Sequence, residues 1–254
     1  MRLEGKVALI TGAGSGMGRE MALLFAKEGA KVVAGEWNAD TLKETCDMTR
    51  AAGGDILGVG GDVSKVEDCT KMVTAAIDTY GKLDILCNNA GVMDLFSGVA
   101  EMDDAMMDRV FSVNVRGPVN LSRLAIPIMI KQGGGSIVNT ASAAGMGGAA
   151  AGAAYTMSKH ALVGLTKNTA YRYALDGIRC NAMACGGVET NIMNSVDQTK
   201  VDMTALGVLG KWHAVMPAAL KPIEIAYLAL FLASDEAIHI NGAIVPADAG
   251  WSAV

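Results

Sequence analysis

Short apolar runs recur along the chain. They alternate with longer stretches in which apolar positions return every three or four residues. The short runs, rich in β-branched residues and bounded by glycine, read as strands, and the longer stretches read as helices. Strands are expected over residues 6–10, 31–35, 56–60, 83–87, 136–140, 178–184 and 243–246. Helices are expected over 17–28, 39–52, 65–80, 154–174 and 222–233, the first stopping at Gly29 and the second at Gly53-Gly54. Residues 102–131 read as helix in two pieces, broken near Gly117-Pro118, with Pro127 kinking the second piece. Residues 193–220 carry a mixed signal that suggests short helices in a mobile lobe.

Strand and helix alternate throughout, and several strands are apolar at every position. Such strands are buried on both faces. The pattern predicts an α/β fold with a doubly wound, mainly parallel sheet covered by helices on both sides. No linker, composition break or repeat divides residues 1–254, so a single domain is expected.

Composition narrows the function. Apolar residues make up 51% of the chain and 31 residues are glycine, which fits a compact, turn-rich protein. The net charge of -5, with no basic cluster, argues against nucleic-acid binding. No apolar run reaches the roughly 18 residues of a membrane helix. Residues 1–6 are charged and lack a leader's hydrophobic region, so a cytoplasmic protein without membrane partners is expected. The five cysteines, odd in number and without paired spacing, read as reduced thiols. His160, His213 and His239 are scattered, and no metal site is expected from them.

The first strand runs directly into Thr11-Gly12-Ala13-Gly14-Ser15-Gly16-Met17-Gly18, and a helix follows. Glycines there permit a tight turn and a close backbone approach to a pyrophosphate. The helix start offers free N–H groups and a partial positive charge. Gly12, Ser15, Gly16 and Met17 are therefore candidate phosphate contacts. Glu36, at the end of the second strand, is placed to accept hydrogen bonds from the adenosine ribose hydroxyls and to repel a 2′-phosphate. No Arg or Lys occupies Ser15, Trp37 or Asn38, so NAD is favoured over NADP.

Tyr155-Thr156-Met157-Ser158-Lys159 sets a phenol and an ammonium on one helix face. A free tyrosine, with a pKa of roughly 10, is too weakly acidic to serve as a base near neutrality, and a nearby cation lowers that value. Ser142 lies upstream, just past the fifth strand. Asn88-Asn89-Ala90-Gly91 closes the fourth strand, and Asn114 follows in a helix.

Together these motifs resemble the short-chain dehydrogenase/reductase family. Order and spacing agree over essentially the whole chain, down to Asn241-Gly242 and Asp248-Ala249-Gly250-Trp251 near its end. The resemblance implies a seven-stranded Rossmann sheet and hydride transfer between a nicotinamide and a CH–OH group. It implies Tyr155 as acid/base, Ser142 on the reacting oxygen, and Lys159 lowering the tyrosine pKa and binding the nicotinamide ribose. It assigns Asn114 a water linking Lys159 to solvent. It puts Asp62 and Val63 beside the adenine, Asn89, Ala90 and Gly91 along the cofactor cleft, and Val188 and Thr190 at the carboxamide. It also implies a homotetramer formed through the long helices.

One position departs from the family. Cys185 stands where a proline is usual, leaving a thiol near the site that is either a tolerated small residue or a redox-sensitive one. Residues 188–220 are expected to cover the substrate. They carry Met193, Met203, Leu206, Leu209, Trp212 and Met216, facing an Ala/Gly-rich stretch over 143–154. A bulky apolar substrate such as a hydroxysteroid or bile acid suits this description. The same methionines could instead simply pack the lobe. A 3-oxoacyl-thioester reductase, a sugar or polyol dehydrogenase, and a nucleotide-sensing binding protein are the alternatives.

Overall fold

The computed structural model describes residues 1–253. Its seven strands are β1 (Val7–Thr11), β2 (Lys31–Glu36), β3 (Asp55–Gly60), β4 (Ile85–Asn88), β5 (Gly135–Thr140), β6 (Ile178–Cys185) and β7 (Ile244–Ala247). They form one sheet in the order β3-β2-β1-β4-β5-β6-β7, and every pairing is parallel. The helices are α1 (Gly16–Lys27), α2 (Ala39–Ala51), α3 (Val66–Tyr80), α4 (Asp104–Phe111), α5 (Gly117–Lys131), α6 (Ala153–Arg172), α7 (Met203–His213) and α8 (Pro222–Ala233). The expected Rossmann-type architecture is present.

Strand β1 shows why its sequence is apolar throughout. Ala8 and Ile10 face one core, with Met21 and Phe25 of α1 and Leu230 of α8. Val7 and Leu9 face the other, with Met72 of α3 and Leu121 of α5. Each large side chain buried in this way contributes about 1.5–3 kcal/mol. The strand order reverses between β1 and β4, so the C-terminal ends of these strands flank a crevice where a parallel sheet gathers its ligand.

One expectation needs correction. The helical region before β5 is not broken at Gly117-Pro118. Helix α4 continues through a wide π-turn, Ser112–Arg116, directly into α5. Pro118 has no N–H for the carbonyl of Asn114, four residues back, and its ring crowds that carbonyl. One extra residue in the turn relieves the conflict without ending the helix. The lobe over residues 188–220 holds two short 3-10 turns, Asn191–Ser195 and Gln198–Lys200, and the eleven-residue helix α7. Among the described residues no helix is long and apolar enough to cross a membrane.

Candidate active site

The glycine turn closes the end of β1. Gly12 takes φ +64° and Gly16 takes φ +51°, conformations that favour glycine. A Cβ on Gly12 would stand 2.9 Å from the Ala90 Cα, and one on Gly18 would strike the Gly12 carbonyl. A Cβ on Gly16 would meet the Thr190 side chain at 3.0 Å, so Thr190 reaches the mouth of the same turn. Ser15 precedes α1 without capping it, and no acid occupies the first turn. The first N–H groups of α1 therefore have no side-chain acceptor. A backbone cradle with an uncapped positive helix end suits the pyrophosphate of a dinucleotide.

The rest of the crevice floor is stitched by side chains. Asn89 donates from Nδ2 to the carbonyls of Thr11 (3.0 Å) and Gly12 (3.3 Å), and Thr11 Oγ1 accepts the N–H groups of Asn89 and Ala90. Glu36 is buried at the crevice edge. Its Oε2 accepts the Gly14 N–H at 2.9 Å, and its Oε1 accepts those of Trp37 and Asn38 at 3.0 and 3.1 Å. Trp37 itself is exposed. Asp62 accepts the Ser64 N–H, and the buried Val63 packs against Gly117. Val188 bridges to Leu220 at the base of the lobe.

Helix α6 brings up the acid/base group. Tyr155 and Lys159 share its buried face, and the Lys159 ammonium lies 5.3 Å from the centre of the Tyr155 ring. Lys159 Nζ donates to the carbonyl of Thr140 at 2.8 Å, which ties α6 to the end of β5. Burial pulls the lysine pKa down to about 8. Burial also raises the Tyr155 phenol above its ordinary value, and a hydrogen bond with Ser142 pulls it part of the way back. Lys159 was expected to lower the Tyr155 pKa; in the structure burial prevails and the net shift is upward.

The π-turn presents Asn114. Its Oδ1 accepts the Val92 N–H at 2.9 Å, and its Nδ2 donates to the Val92 carbonyl and to Ser158 Oγ. The side chain is thus spent on protein groups. A Cβ on Gly91 would lie 3.4 Å from Asn114 Oδ1 and 3.7 Å from Lys159 Nζ, which places Gly91 beside both groups.

An all-parallel sheet, a dinucleotide cradle at its switch point, and Ser142, Tyr155 and Lys159 at its C-terminal edge now stand together. A family model described as short chain dehydrogenase matches residues 6–201. The chain belongs to that family. It is an oxidoreductase acting on CH–OH donors. Among its relatives is 3beta-hydroxysteroid dehydrogenase 2 of Eggerthella lenta, 40% identical over 99% of this chain and 96% of that protein. The crystal structure of levodione reductase superposes with a TM-score of 0.91 at 34% identity, covering 100% of both chains. A 3-ketoacyl-(acyl-carrier-protein) reductase from Brucella melitensis, complexed with NADH, gives 0.85 at 35% identity over 98% of this chain and 99% of that one.

Several residues of this short-chain dehydrogenase escape sequence reasoning. Thr140 acts through its carbonyl, which has no sequence signature. Asp94 is a buried carboxylate whose Oδ2 accepts the Tyr155 N–H at 2.9 Å. An acid set in the apolar stretch Val92-Met93-Asp94-Leu95-Phe96 was the available signal. Asn88, Asn139 and Thr166 form a buried polar chain under the site, linked at 2.8 and 2.9 Å. Cys185 extends β6 by pairing with Ala247, and its buried thiol is pushed up to about 12, which favours the tolerated residue over the reactive one.

The lobe packs over Tyr155. Met93, Phe96, Ala144, Ala151 and Val196 surround the ring, with Ile192, Val201, Leu206 and Leu209 against them. Met203, expected to line the pocket, is exposed to solvent in the first turn of α7 instead.

Proposed function

We propose that the chain is an NAD-dependent dehydrogenase that interconverts a secondary alcohol and a ketone on a bulky apolar substrate of the hydroxysteroid or bile-acid kind. The convergence of Ser142, Tyr155 and Lys159 beside the glycine cradle carries this reading. When bound, the nicotinamide supplies the hydride acceptor or donor. The chain's own groups handle the proton and the charge. Ser142 and Tyr155 offer two hydroxyl donors to a substrate oxygen that gains charge as a ketone is reduced. In the other direction Tyr155 takes the alcohol proton. Lys159, anchored on Thr140, keeps positive charge beside the ring and is the group to hold the nicotinamide ribose.

Cofactor choice rests on Glu36. Its carboxylate accepts three backbone N–H groups and keeps capacity for a ribose hydroxyl, while its charge disfavours a 2′-phosphate. Gly12, Ser15, Gly16 and Met17 would hold the pyrophosphate, Asp62 and Val63 the adenine, Asn89 to Gly91 the cleft wall, and Val188 and Thr190 the carboxamide.

An apolar substrate is supported by the Met93, Phe96, Val196, Leu206 and Leu209 cluster around Tyr155 and by the relative from Eggerthella lenta. The likeness to a 3-ketoacyl reductase supports a second reading, an acyl-thioester substrate. Against it, residues 188–220 carry Lys200, Lys211 and His213 beside Glu189, Asp197 and Asp202, which gives no basic docking face. A groove lined by Arg123, Ile126, Ile130, Leu165 and Tyr173, between α5 and α6, supports the homotetramer. Five buried, unpaired cysteines support a reducing, cytoplasmic setting.

A spectrophotometric screen of NAD and NADP reduction across 3-hydroxysteroids, bile acids, polyols and 3-hydroxyacyl thioesters tests this reading. Turnover of a hydroxysteroid or bile acid with NAD is expected. A strong preference for NADP, or turnover confined to polyols or thioesters, would contradict it.

A further inference from the structure

The segment between β4 and α4 is folded around Asp94, which is 2% exposed. Its Oδ1 accepts the N–H groups of Phe96 (3.0 Å) and Gly152 (3.3 Å), and its Oδ2 accepts that of Tyr155 (2.9 Å). Tyr155 belongs to the first turn of α6, and Gly152 is the residue before that helix. The carboxylate therefore occupies the place of a helix-capping side chain, although it comes from a distant part of the chain. Gly152 leaves room for it, since a Cβ there would stand 2.6 Å from Asp94 Oδ2.

The arrangement is costly. Phe96 takes φ +64°, a left-handed conformation that a bulky residue rarely adopts. A buried carboxylate is costly as well. All of its partners are N–H donors, and none accepts a carboxyl proton, so the ionised form is the one the site fits. Burial raises the Asp94 pKa, and these amides pull it only part of the way back. Strain and buried charge concentrated beside the reacting tyrosine call for a functional reason.

We infer that Asp94 is a positioning residue: as an ionised carboxylate it caps the catalytic helix across the fold and fixes the place of Tyr155. The inference rests on Tyr155 being the acid/base group. Three charged or titratable groups face that phenol: Lys159 on its own helix, Cys185 from β6 and Asp94 from the loop after β4. Lys159 favours the phenolate. Ionised Asp94 opposes it and offsets the positive end of α6.

Two variants separate placement from charge. Asp94→Asn keeps the shape and loses the charge, whereas Asp94→Glu keeps the charge and displaces it. For each variant and for the wild type, the tyrosinate absorbance owed to Tyr155 is measured against pH by subtracting the same protein carrying Tyr155→Phe. In Asp94→Asn the Tyr155 phenolate is expected to form about one pH unit lower, and in Asp94→Glu at the wild-type pH. NAD-linked oxidation of epiandrosterone should lose about 10- to 100-fold in kcat in Asp94→Glu and less in Asp94→Asn, with KM for NAD changed less than about twofold in both. An Asp94→Asn protein that titrates as wild type overturns the inference, whether or not kcat falls. So does loss of the folded protein in both variants. Survival of activity in Tyr155→Phe would instead sink the acid/base reading and leave the titration result standing by itself.

Discussion

Lys159 donates to the carbonyl of Thr140 at 2.8 Å, and this bond holds its ammonium 5.3 Å from the centre of the Tyr155 ring. The lysine is 3% exposed and, among the described residues, forms no salt bridge with a carboxylate. A charge held this way serves the chemistry at the expense of the fold. Its pKa of about 8 lies below the free value of 10.5.

The sign of the pH dependence follows from that depression. Below pH 8 the lysine is charged in both the folded and unfolded states, so the folded protein carries the full cost of burying it. Between pH 8 and 10.5 the folded state releases its proton first, and the cost fades. Lys159→Met should therefore melt several degrees above wild type at pH 7, since each kcal/mol moves the midpoint of a chain this size by about 2–4 °C. The advantage should vanish toward pH 10.5, and the variant should be inactive. Thermal melts across this pH range check it; a lower midpoint at pH 7 would mean that Lys159 supports the fold.

Glu36 serves two purposes at once. Replacing it with Ala leaves the N–H groups of Gly14, Trp37 and Asn38 without their acceptor. The Gly14 group, the buried one of the three, costs about 1–3 kcal/mol when orphaned. Glu36→Ala should lower the melting temperature and weaken NAD binding, and it should raise kcat/KM for NADP relative to NAD by about tenfold or more. Steady-state kinetics with both cofactors measure this, and an unchanged ratio would remove Glu36 as the discriminator.

The glycine cradle makes a stricter prediction. Gly12→Ala puts a Cβ 2.9 Å from the Ala90 backbone and forces a left-handed alanine. The conformational part alone costs about 1–2 kcal/mol. Gly53→Ala, also at positive φ but with nothing within 4 Å of its Cβ, pays only that part. In calorimetry Gly12→Ala should be the less stable of the two, and isothermal titration should find NAD affinity lost in Gly12→Ala alone.

The lobe is tied at the far end of α7. Trp212 and Trp251 stack with ring centres 3.6 Å apart, Trp251 Nε1 donates to the Trp212 carbonyl, and His213 Nε2 bonds to the Ala150 carbonyl. Its near end is tied by Arg109, whose guanidinium donates to the carbonyls of Met93 and Ser195. Trp251→Ala should speed protease cleavage within residues 191–215 and raise the substrate KM several-fold, with little change in NAD binding. Equal cleavage rates would show that the tryptophan stack does not secure the lobe.

What the sequence revealed and what it hid have one physical origin. The glycine turn and the Tyr155–Lys159 pair are local patterns, carried by neighbouring residues and by helix periodicity, so they could be read directly. The central strands were legible because they face two cores. The π-turn was not, because Pro118 normally ends a helix and only its conflict with the Asn114 carbonyl, inside a packed bundle, makes the wider turn the better solution. Asp94 and Thr140 were hidden because their partners, Tyr155 and Lys159, come from another part of the chain and are met through backbone groups. The direction of the Tyr155 shift was misjudged because burial is a property of the assembled site.

The most direct test of the account is NAD reduction by epiandrosterone with wild type and Tyr155→Phe, at matched cofactor occupancy. Removing one hydroxyl should lower kcat by about 10²–10⁴-fold while NAD affinity and melting temperature hold. A Phe variant whose kcat stays within twofold of wild type, a far smaller loss than general acid–base catalysis provides, would place the proton transfer on another group.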